Sequence, residues 1–343
     1  MKRFIFLMSI CMIAFLNMNT QVTLGNVRLK NVSQFEISEN ILEMSNTAKI
    51  IIPRNYALLK DKPILEQFKV GDKVTIEAGY NEKLHTEFIG YVKEIDSDIP
   101  LVINCEDETF LLRRSNYIKS YRDATLEQIL TDIIPADLLS FRCDDVHIGK
   151  YQIDNASGFA VLQDLMKNYG LYSSIQNGVL KVGLAYDFGA DAIEHKYIIG
   201  KNVKKNELKY KRKEDVKVRV KVSAKNANGK YSPVVIVGDK ESEASEMGLN
   251  LPGPMQEYEL SDIANGILKK IKFDGYTGSI TGFGSPRTHA GDALAVIDEL
   301  EPGRRYRDGK YLIEKVDISY NEPSGFSRQN TLSYKIENTA QNA

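Results

Sequence analysis

Tryptophan is absent from this chain of 343 residues, and cysteine occurs only three times, at Cys11, Cys105 and Cys143. Cysteines so few and so scattered exclude a disulfide framework and any Cys-x-x-Cys metal or redox motif. The missing tryptophan weighs against a carbohydrate-stacking module. Net charge is missing too: 45 Lys and Arg stand against 46 Asp and Glu, so bulk electrostatics makes no case for a nucleic-acid binder. There is no Gly-x-Ser-x-Gly, no His-Glu-x-x-His, no P-loop and no dinucleotide fingerprint. The stretch Gly282-Phe283-Gly284-Ser285-Pro286 reads as a turn, because no helix N-terminus follows it to hold an anion. The four histidines, His85, His147, His195 and His289, lie far apart. The tightest polar cluster, Cys143-Asp144-Asp145-Val146-His147, reads as a polar loop, since a reactive thiolate needs an electropositive setting and two aspartates oppose it. No catalytic, cofactor-binding or metal-ligating residue is therefore assigned, and an enzyme is not expected.

Long apolar runs are scarce as well, with one exception. Residues 4–16, after Met1-Lys2-Arg3, resemble the n- and h-regions of a signal peptide. The run is too short to span a bilayer comfortably. Leu16-Asn17-Met18-Asn19-Thr20 offers no small-x-small cleavage site, and Ile10 before Cys11 argues against lipoprotein processing. Three readings stay open: an export signal, an overlong start with Met18 as the true one, or an apolar arm used in assembly.

The rest of the composition is globular, with 43% hydrophobic and 27% charged residues. The length suggests two or three domains. Within that length the chain comes close to repeating itself. It reads Val70-Gly71-Asp72-Lys73-Val74-Thr75-Ile76 and then Gly90-Tyr91-Val92-Lys93-Glu94-Ile95. Much later it reads Ala290-Gly291-Asp292-Ala293-Leu294-Ala295-Val296 and then Gly309-Lys310-Tyr311-Leu312-Ile313. Each copy is a Gly-Asp turn, a strand, an excursion, a Gly and a second strand. Upstream, Phe35–Ser38 leading to Ala48–Ile52 parallels Glu207–Tyr210 leading to Val216–Val222. Self-similarity of this kind is weighed before any motif. It predicts two related β-barrels, with Gly71 matching Gly291, Asp72 matching Asp292 and Gly90 matching Gly309.

The character changes between the copies. Thr125-Leu126-Glu127-Gln128 has the form of a capping box, Leu126, Ile129, Leu130 and Ile133 share a helical face, and Pro135 ends the run. A second helix is predicted after Ser157, with Phe159, Leu162, Leu165, Met166 and Tyr169 on one stripe and Gly170 closing it. Asn177-Gly178 between alternating segments is a strong hairpin signal. The expected fold is mainly β (α+β). A hydrophobic segment 1–18 comes first, then a barrel at 19–119, a small α+β insert at 120–199, and a second barrel at 200–343. That second barrel is expected to carry an insertion at about 224–280, with a helix near 261–271 and a mobile acidic loop at 239–246.

One constellation suggests a surface. Ten basic residues crowd the stretch from Lys201 to Lys221. Over 216–222 valines alternate with Lys217, Arg219 and Lys221, so the two sets face opposite ways on a strand. Such a stripe is either a solvated or Lys-protected strand face, or the lining of a channel or of an interface with an acidic partner.

The order β-domain, small helical insert, second β-domain resembles the baseplate hub or tail-tip proteins of contractile-tailed phages, including the late control D family and the hub half of type VI secretion spike proteins. The segments carrying the resemblance are Val22-Thr23-Leu24-Gly25 leading to Thr47–Pro53; Val70-Gly71-Asp72; the Ser157 to Leu180 insert; and Gly275 to Gly291-Asp292 with Gly309-Lys310-Tyr311. The apolar start before Met18 departs from the pattern. The resemblance implies a homotrimeric ring in a virion or tail-like particle, assembled in the bacterial cytoplasm. Six similar barrels would then adapt a sixfold tail tube to a threefold spike, in contact with other baseplate proteins and with DNA passing through the lumen. It implies no cofactor and no small-molecule substrate. The other reading is an exported, β-rich cell-envelope or binding protein.

Overall fold

The computed structural model describes residues 17–30, 32–53, 67–96, 100–176, 178–184, 192–225, 230–301, 303 and 307–336. The apolar run at 4–16 with Cys11, most of the irregular stretch around Pro53 to Pro63, and Asn177 lie outside them.

The first unit is built of seven strands: β1 (Met18–Leu24), β2 (Val27–Lys30), β3 (Gln34–Asn40), β4 (Thr47–Ile52), β5 (Lys73–Tyr80), β6 (Lys83–Asp96) and β7 (Leu101–Glu106). Most alternate an inward apolar set with an outward polar one, as Val22 and Leu24 on β1 or Phe35 and Ile37 on β3 do. Every contact between neighbouring strands is antiparallel, in the order β2-β1-β5-β6-β7-β4-β3.

The middle unit follows the predicted helix signals closely. After β8 (Asn116–Thr125), Thr125 and Gln128 close a reciprocal capping box on α1 (Leu126–Ile133), which buries Leu126, Ile129, Leu130 and Ile133. Then come β9 (Ser140–Cys143) and β10 (His147–Ser157). Ser157 caps α2 (Gly158–Tyr169), and Gly170 ends it in the left-handed conformation at φ 64°. The strands β11 (Leu171–Gln176) and β12 (Val179–Leu184) pair across a two-residue loop, as the hairpin signal predicts. This unit has its own core around Leu130, Leu162, Leu165 and Leu180.

The second β-unit starts with β13 (Glu194–Ile199) and β14 (Val203–Lys211). The chain then leaves to build a satellite of β15 (Val218–Lys225), β16 (Tyr231–Gly238), β17 (Ser245–Leu251) and α3 (Glu257–Ile271). It returns as β18 (Gly275–Phe283), β19 (Ala293–Asp298), β20 (Gly309–Asn321) and β21 (Gly325–Lys335). The satellite is a separate three-stranded sheet, ordered β16-β15-β17, with a core of Val220, Val222, Leu260, Ala264 and Ile267. The predicted helix at 261–271 thus begins four residues earlier, and Leu260 and Ala264 take inward places beside Ile267.

Two expectations are corrected here. Of the segment 216–222, the residues from Val218 on are a strand, but that strand is not part of the sheet that holds β14. The strand that follows β14 in that sheet is β18, and the excursion away from it spans 212–274. Nor are there two closed barrels among the described residues. Strand β20 pairs with β3 from Lys315↔Asn40 to Asn321↔Gln34, which joins both β-units into one 13-stranded sheet. The reason is physical: the later part of β20, beyond its pairing with β19, offers β3 an edge along its full seven residues, and Ile37 and Ile318, directly opposite, are both fully or nearly fully buried. The two edges satisfy each other, so neither unit closes on itself. A single core runs through both, from Val22 to Tyr334.

Candidate functional site: the junction and the basic strand

The Gly-Asp turns are the first feature the sequence singles out. Gly71 and Gly291 hold φ at +90° and +93°, where a side chain is strained. At the first turn the Asp72 carboxylate accepts the Lys69 N–H at 2.8 Å, Gly71 N–H donates to the Val92 carbonyl, and Val92 N–H returns to the Asp72 carbonyl. At the second, the Asp292 carboxylate accepts the His289 N–H at 2.9 Å, and Gly291 and Ile313 exchange the same pair of backbone bonds with each other's strand. The second pair of glycines is not equivalent. Val74 lies opposite Gly90, whereas Leu294, at the same distance from its turn, lies opposite Tyr311. Gly90 thus matches Tyr311, and Gly309 lies two residues away. Gly90 is small for its own reason: a side chain there would collide with the Glu106 carbonyl and the Phe88 ring.

Between the two units sits an ionic seam that periodicity alone does not single out. Strand β6 shifts register between Ile76 and Glu77, so Glu87 and Phe88 both turn inward. The Glu87 carboxylate, 4% exposed, receives Arg328 Nη2 at 2.5 Å and Arg287 Nε at 3.2 Å. Arg328 is fully buried on β21, and its other donors reach the carbonyls of Gly284 and Thr288. Every donor direction of a buried guanidinium that is used lowers the cost of burying its charge. Nearby, His289 Nδ1 meets Glu39 Oε1 at 3.0 Å, and His195 Nε2 meets Asp292 Oδ2 at 2.9 Å. Burial opposes a charged His289 ring, but the Glu39 carboxylate outweighs it and raises its pKa above the usual 6.5. A signal for part of this seam was present in the sequence. Along β21 the inward positions run Phe326, Arg328, Asn330, Leu332, Tyr334, and a charge at an inward register position demands a buried partner.

The basic stretch divides. Its first half forms β14, at an edge of the large sheet; its last part forms β15. Val218, Val220 and Val222 are buried, Arg219 and Lys221 face outward from the strand, and Lys217 is exposed just before it. Lys217 Nζ lies 3.4 Å from Glu241, Arg219 Nε 3.2 Å and Lys221 Nζ 3.8 Å from Glu246. The counter-charges come from the same chain, out of the segment predicted to be a mobile acidic loop. That segment is tied at its start, where Asp239 accepts Lys272 Nζ and the Val218 N–H. The other cluster the sequence raised is the one at 143–147. The Cys143 thiol is pushed up by burial and by Glu127, Asp144 and Asp145, the reverse of an activated nucleophile. Among the described residues no three His, Cys, Asp or Glu side chains are grouped to hold a metal ion. No helix among them is long and apolar enough to cross a membrane.

No protein-family model matches the chain, and no curated protein sequence matches it. Solved structures do match its fold. A tail protein from Neisseria meningitidis superposes with a TM-score of 0.63 at 13% identity, over 93% of this chain and 97% of that one. A prophage tail protein from Shewanella oneidensis gives 0.62 at 16% identity, over 93% and 98%. An E. coli component of the type VI secretion system, itself described as similar to bacteriophage T4 tail proteins, gives 0.57 at 12% identity, over 92% and 77%. The chain therefore has the fold of these tail and secretion-system proteins.

Proposed function

We propose that the chain is a structural baseplate hub of a phage tail or tail-like contractile injection particle, a homotrimeric ring adapting a sixfold tail tube to a threefold spike. The observation that carries this reading is the likeness in fold, over nearly the whole length, to tail proteins of similar size. Strand order adds support. The first unit runs β3-β4-β7-β6-β5 and the second β14-β18-β21-β20-β19, five strands in the same sequence order with the same Gly-Asp turn before the third. This favours an internal duplication. The flanking strand differs, since β1 lies antiparallel to β5 and β13 parallel to β19. Two such units per chain make six around a threefold axis, and a closed ring needs one heterologous interface.

On this reading the three domains keep the order read from the sequence, with boundaries a few residues earlier: a first β-unit that ends before β8, an insert that begins at Asn116, and a second β-unit that begins at Glu194 and carries the satellite. The chain catalyses nothing. Its partners are its own copies, the tube, the spike, other baseplate proteins and DNA in transit, within a virion or tail-like particle assembled in the bacterial cytoplasm. Lys217, Arg219 and Lys221 face the lumen or a partner, and Glu241 and Glu246 reduce the repulsion that three copies would otherwise feel. Light scattering on the purified chain tests the ring, with a mass of three copies expected. Sedimentation of a tagged chain with tail particles from the producing cell tests its place. A chain that stays monomeric at micromolar concentration and is absent from every such particle would sink the proposal.

A further inference from the structure

The satellite sheet ends in two open edges, and they are unlike the edge of the main sheet. Strand β14, at an end of the large sheet, carries Lys204, Lys205, Lys209 and Lys211, the usual guard against unwanted pairing. Strand β16 carries no charge from Tyr231 to Gly238, and Tyr231, Val234 and Ile236 are 40%, 46% and 57% exposed. At the opposite edge no described strand pairs on the outer side of β17. There Met247, Gly248, Leu249 and Asn250, four consecutive residues, form one wall of a groove of about 880 Å³ that runs between the satellite, the middle unit and β21, and α3 lines it with both apolar Ile263 and Ile267 and charged Asp262 and Lys270. Four consecutive residues line a groove only when a backbone edge, and not one face of a strand, looks into it.

We propose that this groove receives β16 of a second copy of the chain as an added strand. The inference rests on the ring reading above and supplies its interface. Direction fits. Strand β16 is antiparallel to β15 and β17 is parallel to it, so a neighbour's β16 laid in the same sense beside β17 makes an antiparallel ladder. That neighbour's own β17 stays open for a third copy, the head-to-tail contact a closed ring repeats. Charge fits as well. Lys240 follows β16 and Glu243 precedes β17; both are exposed, and neither is in an ion pair among the described residues. Head-to-tail pairing brings the neighbour's end of β16, with its lysine, alongside Glu243.

The experiment uses the full chain. At Gly248 an added Cβ meets nothing within 4 Å, so a photo-reactive p-benzoylphenylalanine is placed there, the variant's fold being checked by an unchanged melting transition. On irradiation of the ring it should join to a peptide from 231–238 of another copy. The variant Val234→Lys with Ile236→Lys alters only exposed side chains; it should keep the wild-type melting transition and lose self-association by about tenfold or more. Lys240→Glu and Glu243→Lys should each weaken the ring, and combining them in one chain should restore it. An intact ring whose position 248 joins to another segment, or to another protein, overturns the strand addition and leaves the ring reading standing. So does unchanged assembly of the Val234→Lys, Ile236→Lys chain. A wild-type chain that never rises above monomer overturns both.

Discussion

Arg328 and Glu87 show how much a single buried charge decides. The pair is 0% and 1% exposed at its side chains, so removing one member strands the other in a medium that cannot solvate it. Arg328→Ala should cost about 3–5 kcal/mol, read as a lower denaturant midpoint with an unchanged slope. Arg328→Met combined with Glu87→Gln should cost clearly less, because no charge is left unpaired. His289 gives a pH signature. Its folded-state pKa is raised above 6.5, so its pairing with Glu39 stabilises fully below the unfolded value and is lost as pH rises through the folded one. The stability difference between the wild type and His289→Gln should therefore shrink on going from mildly acid to alkaline conditions, measured by denaturation at each pH. A difference that grows with pH would mean that the ring is neutral throughout. Arg328 was readable as an inward charge. Glu87 was not, because the register shift that turns it inward arises from pairing with β5, a long-range event with no local mark.

At the scale of elements, most local signals were read correctly, though the start of α3, capped at Gln256 by Glu259, was placed four residues late. The capping box at Thr125, the cap at Ser157, the Gly170 stop and the two-residue loop of the β11–β12 hairpin are all encoded within a few residues of themselves. Thr125→Ala should accordingly cost about 1 kcal/mol. Leu162→Ala, in the middle of the same core, should cost about 2–5 kcal/mol. Both losses should appear first in hydrogen exchange of the middle unit, since its core is separate from that of the large sheet. What local pattern could not supply was the neighbour. Alternation in 216–222 identifies a strand and its two faces, and says nothing about which sheet receives it. For that reason the segment was assigned to the second barrel, whereas β15 belongs to the satellite. Likewise two glycines at similar spacing, Gly90 and Gly309, looked equivalent, and only the ladder reveals the offset of two residues.

At the scale of the whole molecule, the sheet is one object made of two units far apart in sequence. Their junction is a run of seven residue pairs between β3 and β20, with the side chains of Ser38 and Asp317 bonded across it at 2.9 Å. That junction imposes an order in time. Strand β3 is among the first parts of the described chain to be synthesised, and its partner is among the last. At about 5–20 residues per second, the interval between making Asn40 and making Lys315 is on the order of 15–55 s. Throughout it the first unit holds an open strand edge with nothing of its own to cover it. A ribosome stalled near residue 300 would carry a unit ready to pair with any exposed strand nearby. Strand β20 is thus the chain's own cover for that edge, and production of the protein should be more sensitive to loss of β20 and β21 than to an equally large loss from the satellite.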